Sequence, residues 1–241
     1  MSEIFQTATP RERRGFTRAA LAVLSILAVL IPIPIGGVLP GLTGMPATGV
    51  LGVVGSVAVA SVILRKRGST WSAVGLRRPR SILLTIPFAI GMSIAARIVL
   101  VPFVIAVYLL LHSTPNNSLF EPIRGNVGVL VLWLSISWTT AAFGEEMIFR
   151  GFVMNTIADL FRRPVLRWAS AVMITSVIFG AFHIYQGWAG VILTTIVGLF
   201  MTMVYFLARR NLWASILTHG IFDTTGFLLI FANVDKMILN K

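Results

Sequence analysis

The sequence predicts an all-α fold, a polytopic integral membrane helix bundle of about seven transmembrane helices. Of its 241 residues, 56% are hydrophobic and only 12% are charged, and the mean hydropathy is +0.89. A soluble domain is closer to half apolar and a quarter charged, so an ordinary globular protein is excluded. One crossing of a bilayer needs about 20 apolar residues, so the chain has room for about seven crossings. Residues 1–241 are therefore expected to form a single membrane domain.

Seven apolar runs locate the predicted helices. Pro32 and Pro34 are expected to kink the first helix, and Pro87 and Pro102 the third, because neighbouring helices can satisfy the carbonyls that a proline frees. The third run is kept as one long helix, since splitting it would break the charge alternation described next. The pattern GVLPG at 37–41 predicts a turn. The runs span about 19–39, 45–64, 81–111, 129–157, 168–186, 188–208 and 212–232.

The basic residues predict the orientation of the chain. Sixteen of the twenty Lys and Arg lie in segments 1–18, 65–80, 150–167 and 209–210, which the positive-inside rule places on the cytoplasmic side. The N-terminus is then cytoplasmic and the C-terminus lies outside. The 17 Arg against 3 Lys favour a GC-rich genome and hence a bacterial cell membrane.

The net charge of +12 does not indicate a nucleic-acid partner. Its basic residues are scattered between apolar runs, with no basic groove or aromatic stacking motif beside them. Membrane lipids are the expected partner. Arg77, Arg78 and Arg80 belong to a segment, 68–80, that is either interfacial and faces anionic headgroups or is a plain basic loop.

Three acidic residues and two histidines lie inside the apolar runs: Glu145, Glu146, Asp223, His183 and His219. A charged group at mid-depth in a bilayer costs about 2.5–3.5 kcal/mol even on the gentler insertion scale, so such residues mark functional sites. Since they come from three separate runs, we expect them to converge in one site.

Helical spacing predicts how these residues pair. Glu146 and Arg150 are four residues apart in FGEEMIFRG and should share a helix face as an ion pair, whereas Arg150 could alternatively snorkel to the surface. Glu145 points about 100° away from Glu146 and is free to face another helix. His219 and Asp223 in HGIFD are also four apart, so the carboxylate could orient the imidazole or both could bind one metal.

Three motifs in order resemble those of the CPBP family of intramembrane proteases, which includes the CAAX prenyl endopeptidases and bacteriocin-processing enzymes. They are EEMIFR at 145–150, FGAFH at 179–183 and HGIFD at 219–223, which look like EExxxR, FxxxH and HxxxN/D. The resemblance covers about 126–232, a catalytic core, while 1–125 match only as hydrophobic helices. It implies an intramembrane endopeptidase acting on membrane-associated proteins or peptides. The functional residues it implies are Glu145, Glu146, Arg150, His183, His219 and Asp223.

Other intramembrane protease designs are excluded by the residues themselves. The chain has no HExxH zinc motif, no GxGD motif, no GxSxG elbow and no cysteine nucleophile. The available chemistry is therefore water activated by carboxylate and imidazole.

Two mechanisms remain open. Without a metal, Glu145 assisted by His183 deprotonates water, and His219 stabilises the oxyanion. With a metal, a divalent ion such as zinc is held by Glu145, His183, His219 and Asp223 and lowers the pKa of its water. The prenyl-protease branch usually has Asn at the last position, and an ionised Asp cannot donate to an oxyanion, which favours the metal slightly.

Two functions from other classes are the alternatives. Buried Glu, His and Asp also line ion pathways, so the chain could be a secondary transporter or proton relay, although no inverted repeat supports this. It could also be a non-catalytic membrane scaffold, since resemblance does not prove activity.

Overall fold

The computed structural model of the protein describes residues 10–36, 48–114 and 118–234, and the turn predicted at 37–41 lies outside them. Within these ranges, eight α-helices form the bundle and no strand is present. A π-helix, Ser137–Val153, joins α4 to α5, and short 3₁₀ helices form at Ser118–Ile123 and Ile184–Gln186. The α-helices are α1 Pro10–Leu30, α2 Thr48–Lys66, α3 Ile82–Leu110, α4 Val127–Ile136, α5 Met154–Ala158, α6 Pro164–Ala181, α7 Gly187–Leu207 and α8 Leu212–Phe231.

In the part of the chain that the structure describes, seven helical segments are long and apolar enough to cross a membrane, which confirms the predicted fold class. The third is a single helix that contains both Pro87 and Pro102, as expected. Large apolar side chains such as Leu83 and Val165 are exposed on the outer surface, where lipid tails replace water as solvent. The protein is therefore an integral membrane protein. The segments are Gly15–Gly36, Gly49–Lys66, Ile82–Leu110, Val127–Ala158, Pro164–Ala181, Ile184–Leu207 and Leu212–Phe231.

The fourth crossing departs from α-helical geometry where it carries the paired glutamates. Its turns widen over Ser137–Val153, and the N–H of Met154 donates to the carbonyl of Phe149, five residues back. π-Helical turns are rare and are found mostly at functional sites. This segment lies between other helices of the bundle. It packs against α8, and α2 approaches it so closely at Gly144 that a Cβ there would clash with Val53 Cγ1.

Two further glycines allow close helix packing around the site. A Cβ on Gly180 of α6 would lie 2.5 Å from the Val191 carbonyl oxygen of α7. A Cβ on Gly220 of α8 would lie 2.6 Å from the Trp138 ring of the π-helix. Small residues at helix contacts are typical of membrane proteins, where packing drives association. These contacts join α6 to α7 and α8 to the π-helix, so two of the segments that carry motifs, α8 and the π-helix, are in direct contact.

The segment that follows α2 packs against the protein itself. Trp71 and Leu76 contact the main hydrophobic core, and the Trp71 Nε1–H donates to Ser61 Oγ at 2.9 Å. Both side chains are therefore partly buried against the protein.

Candidate active site

Glu146 and Arg150 form a buried ion pair on the π-helix. Their side chains are 0% and 1% exposed, and Arg150 Nη1 donates to Glu146 Oε1 at 3.0 Å. Arg150 Nη2 donates to the Gly198 carbonyl of α7 at 3.0 Å. The guanidinium is thus held inside the bundle and does not snorkel to the surface.

Phe179 lies between this ion pair and the second motif. The Arg150 guanidinium carbon lies 4.7 Å from the centre of the Phe179 ring, within the range of a cation–π interaction. The His183 ring lies on Phe179 as well, with ring centres 4.9 Å apart. The first aromatic residue of the FGAFH motif therefore packs the first two motifs together.

The imidazole of His219 is oriented by Glu146. Its Nδ1 lies 3.0 Å from Glu146 Oε1, and because a carboxylate paired with Arg150 accepts, Nδ1 is the donor. Asp223 Oδ2 lies 3.7 Å from His219 Nε2, close enough for charge attraction and too far for a hydrogen bond. Tertiary packing places Glu146, and not Asp223, within hydrogen-bond distance of the ring, and a role of Asp223 in orienting His219 stays a prediction.

Asp223 has a different hydrogen-bond partner, which the sequence did not reveal. Ser137 Oγ, at the start of the π-helix, donates to Asp223 Oδ2 at 2.7 Å. The next residue, Trp138, donates through Nε1 to Thr224 Oγ1 at 3.1 Å. Two consecutive residues of the π-helix are thus hydrogen-bonded to two consecutive residues of α8. A serine and a tryptophan in an apolar run carry no signal that would have identified them.

His183 lies beyond the end of α6, which stops at Ala181. The predicted helix through residue 186 is therefore wrong here; the chain turns, and the His183 N–H donates to the Gly180 carbonyl at 2.9 Å. The ring Nδ1 lies 2.9 Å from the Phe179 carbonyl oxygen. A carbonyl only accepts, so Nδ1 carries the proton and Nε2 of a neutral ring keeps its lone pair.

Four of the residues implied by the motifs line one cavity of about 420 Å³: Glu145, His183, His219 and Asp223. Glu146 and Arg150 are absent from its lining and lie behind the wall. Within the described part of the chain, the Glu145 carboxylate makes no hydrogen bond or ion pair. The two neighbouring glutamates therefore differ: one is held inside the protein, and the other is open to the cavity.

Arg97 of α3 also lines this cavity. It donates to Thr225 Oγ1 at 2.7 Å and to the Phe222 carbonyl, and its guanidinium carbon lies 4.1 Å from the centre of the Phe222 ring. Arg97 thus binds the turn of α8 that carries Asp223. A single arginine in an apolar run does not allow this role to be predicted from the sequence.

A metal site from Glu145, His183, His219 and Asp223 remains a prediction. Among the residues the structure describes, no three His, Asp or Glu side chains are grouped closely enough to hold one metal ion. The Nδ1 atoms of both histidines are hydrogen-bonded, to Phe179 and Glu146, and this pattern leaves Nε2 as the atom that would bind a metal. What the described arrangement lacks for a metal is close spacing of the side chains, and not suitable donor atoms.

Residues 127–225 match the family model described as type II CAAX prenyl endopeptidase Rce1-like. This region is less than half of the chain and contains all three motifs, and the match confirms the resemblance to the CPBP intramembrane proteases. No curated protein and no solved structure matched the chain.

Proposed function

We propose that this integral membrane protein is an intramembrane endopeptidase that hydrolyses peptide bonds of membrane-associated proteins or peptides with water activated by Glu145. One observation carries the proposal. The Glu145 carboxylate lines a cavity with His183, His219 and Asp223 and has no partner among the described side chains, so it is available to a water molecule. The match to a prenyl endopeptidase family supports the same reaction class.

Water activation is the first step. Glu145 accepts a proton from a water molecule in the cavity, and the resulting hydroxide attacks the scissile carbonyl carbon. His183 assists through Nε2, which is left to accept a hydrogen bond because Nδ1 is bound to the Phe179 carbonyl. The backbone contact thus sets which ring nitrogen faces the reaction.

Oxyanion stabilisation falls to His219. Its Nδ1 is occupied by Glu146, so Nε2 is the ring atom that remains for the cavity, where a protonated Nε2 donates to the developing negative charge. Glu146 and Arg150 do not touch the substrate; they position this ring. Asp223 carries a charge beside Nε2 and is itself held by Ser137.

Collapse of the tetrahedral intermediate completes the reaction. The proton taken up by Glu145 passes to the departing amine, the carbon–nitrogen bond breaks, and a carboxylate and an amine are released. Each turnover consumes one water molecule and returns Glu145 to its ionised state.

The substrate class follows from the position of the site. The cavity is enclosed by helices that cross the membrane, and aromatic side chains line part of it, including Phe120, Trp133 and Phe227. An apolar, membrane-associated segment fits these walls better than a soluble peptide. In a bacterial cell the targets would be processed membrane proteins or peptides.

The test compares new protein termini in membranes that contain the parent protein, the Glu145→Gln variant or the Asp159→Asn variant. Asp159 is an exposed carboxylate paired with Arg167 and is a matched control. We expect termini that are present with the parent and the control and absent with Glu145→Gln. Identical termini in all three membranes would refute the proposal. Ion flux that depends on Glu145 without cleavage would indicate a transporter, and neither effect would indicate a scaffold.

A further inference from the structure

A second cavity, of about 720 Å³, lies where α3 and α8 begin and α7 ends, and it shares no lining residue with the catalytic cavity. Four of its lining residues are the arginines Arg77, Arg78, Arg80 and Arg209. We call it the arginine cavity. The described part of the chain contributes no acidic residue to its lining, so four positive charges face one space.

Most of these charges have no partner among the described residues. The side chains of Arg78, Arg80 and Arg209 make no hydrogen bond or ion pair with any residue in the ranges the structure describes. Only the Arg77 guanidinium is bound, donating through Nη2 to the Arg209 carbonyl at 2.9 Å. A guanidinium group can donate two parallel hydrogen bonds to a phosphate, and these three arginines are available to do so.

Hydrogen bonds to backbone carbonyls hold the walls of the arginine cavity in place. Asn211 Nδ2 donates to the Arg77 carbonyl at 3.0 Å, and the Leu212 N–H donates to the Gly75 carbonyl at 2.9 Å. The segment before α3 is thereby fastened to the turn before α8. Because these hydrogen bonds fix the frame, a ligand that binds there has less conformational entropy to overcome.

The turn between α7 and α8 divides its two arginines. Arg209 and Arg210 have φ of 55° and 60°, a left-handed conformation that is uncommon for residues other than glycine. Arg210 turns inward and donates to Asn155 Oδ1 at 2.5 Å. Arg209 is left in the arginine cavity. In this left-handed turn, Arg210 is therefore directed toward Asn155 inside the protein and Arg209 toward the arginine cavity.

The remaining walls are apolar and continue into the membrane-facing surface. Leu84 and Leu207, both lining residues, belong to membrane-spanning segments and are 72% and 59% exposed. Phe88 lies one turn beyond Leu84 on the same wall. A ligand of this cavity therefore meets cations at one end and a lipid-like surface at the other.

We propose that the arginine cavity binds the phosphate of an anionic phospholipid, with an acyl chain along Leu84 and Phe88. Basic pockets between membrane helices are suited to such headgroups. A soluble phosphate compound would satisfy the arginines and leave the apolar wall unused. A zwitterionic lipid brings its own cation into a space that already holds four positive charges.

The test measures binding of phosphatidylglycerol to the purified, delipidated full chain, by native mass spectrometry and by thermal stabilisation. Phosphatidylcholine with the same acyl chains tests the charge, and soluble glycerol phosphate tests the need for the chains. The variant Arg78→Gln/Arg80→Gln removes two unpartnered, exposed cations, and Arg209→Gln removes one from the opposite wall. The control Arg162→Gln/Arg163→Gln removes two exposed arginines from another loop.

We expect phosphatidylglycerol to bind the parent and the control alike, and the double variant to bind roughly 10- to 30-fold more weakly, since each basic residue contributes about one kcal/mol near a charged headgroup. Arg209→Gln should weaken binding by a smaller factor. Equal binding of phosphatidylcholine, or an equal loss in the control, would overturn the proposal. Glycerol phosphate that binds as tightly as the lipid would overturn its assignment to a phospholipid.

Discussion

His219 of α8 donates through Nδ1 to Oε1 of Glu146 on the π-helix, at 3.0 Å. The same oxygen accepts from Arg150 Nη1, also at 3.0 Å. One carboxylate oxygen thus joins the first and third motifs, although 73 residues separate Glu146 from His219. Its neighbour Glu145 is left for the cavity, and this division of roles leads to the first prediction.

Replacing each glutamate with glutamine should have different consequences. Glu145→Gln removes a base that has no partner in the described structure, so we expect at least about a 100-fold loss of peptidase activity with an unchanged thermal unfolding midpoint. Glu146→Gln leaves Arg150 without a buried counter-charge and should lower both activity and stability. The measurements are turnover of a cleaved membrane peptide and thermal unfolding in detergent. Equal losses of stability in the two variants would contradict the assignment of Glu145 to catalysis and of Glu146 to the buried ion pair.

Two arginine-to-alanine variants compare a buried with an exposed ion pair. Arg150→Ala strands the carboxylate of Glu146, and we expect the free energy of unfolding to fall by roughly 3–5 kcal/mol. Arg167→Ala breaks the pair with Asp159, whose side chains are 39% and 60% exposed, and should cost no more than about 1 kcal/mol. Denaturation of both variants in detergent measures the difference. A stable Arg150→Ala protein would mean that Glu146 is neutral or reaches solvent.

Asp223→Asn distinguishes the two mechanisms. The substitution keeps an acceptor for Ser137 and removes the charge. In the metal-free mechanism we expect the parent protein to contain no stoichiometric metal and to keep its full peptidase activity after chelation. The Asp223→Asn variant should then have peptidase activity within about tenfold of the parent's, because it keeps a hydrogen-bond acceptor at this position. A parent that loses activity on chelation, with an Asp223→Asn variant that binds metal at least about tenfold more weakly, would establish the metal mechanism instead. Bound metal and activity are measured on the same preparations.

The topology prediction rests on the distribution of basic residues. A reporter that is active only outside the cytoplasm should give a signal when fused after Lys241 and none when fused near Arg67 or Arg163, because basic loops are retained in the cytoplasm. A matching reporter that is active only in the cytoplasm should give the opposite pattern. A signal from the first reporter at Arg163 would contradict the predicted orientation.

Features that depend on local composition and spacing could be predicted from the sequence. Apolar runs located seven crossings, because each crossing needs its own length of apolar residues. The spacing of Glu146 and Arg150 predicted their pairing, because residues four apart on one helix lie side by side. The cost of ionisable groups in a bilayer marked the candidate site residues before any packing was known.

The partners that those residues take across helices depend on tertiary packing and could not be predicted in this way. Whether Glu146 or Asp223 forms the hydrogen bond to His219 depends on how α8 packs against the π-helix. The spacing of residues along one helix does not predict the distance between side chains on two helices. The widened turns at Ser137–Val153 and the end of α6 before His183 also escaped prediction, because every residue type there is compatible with an ordinary membrane helix. Ser137, Arg97 and the arginine cavity depend on contacts between segments far apart in the chain, which hydropathy and spacing do not record.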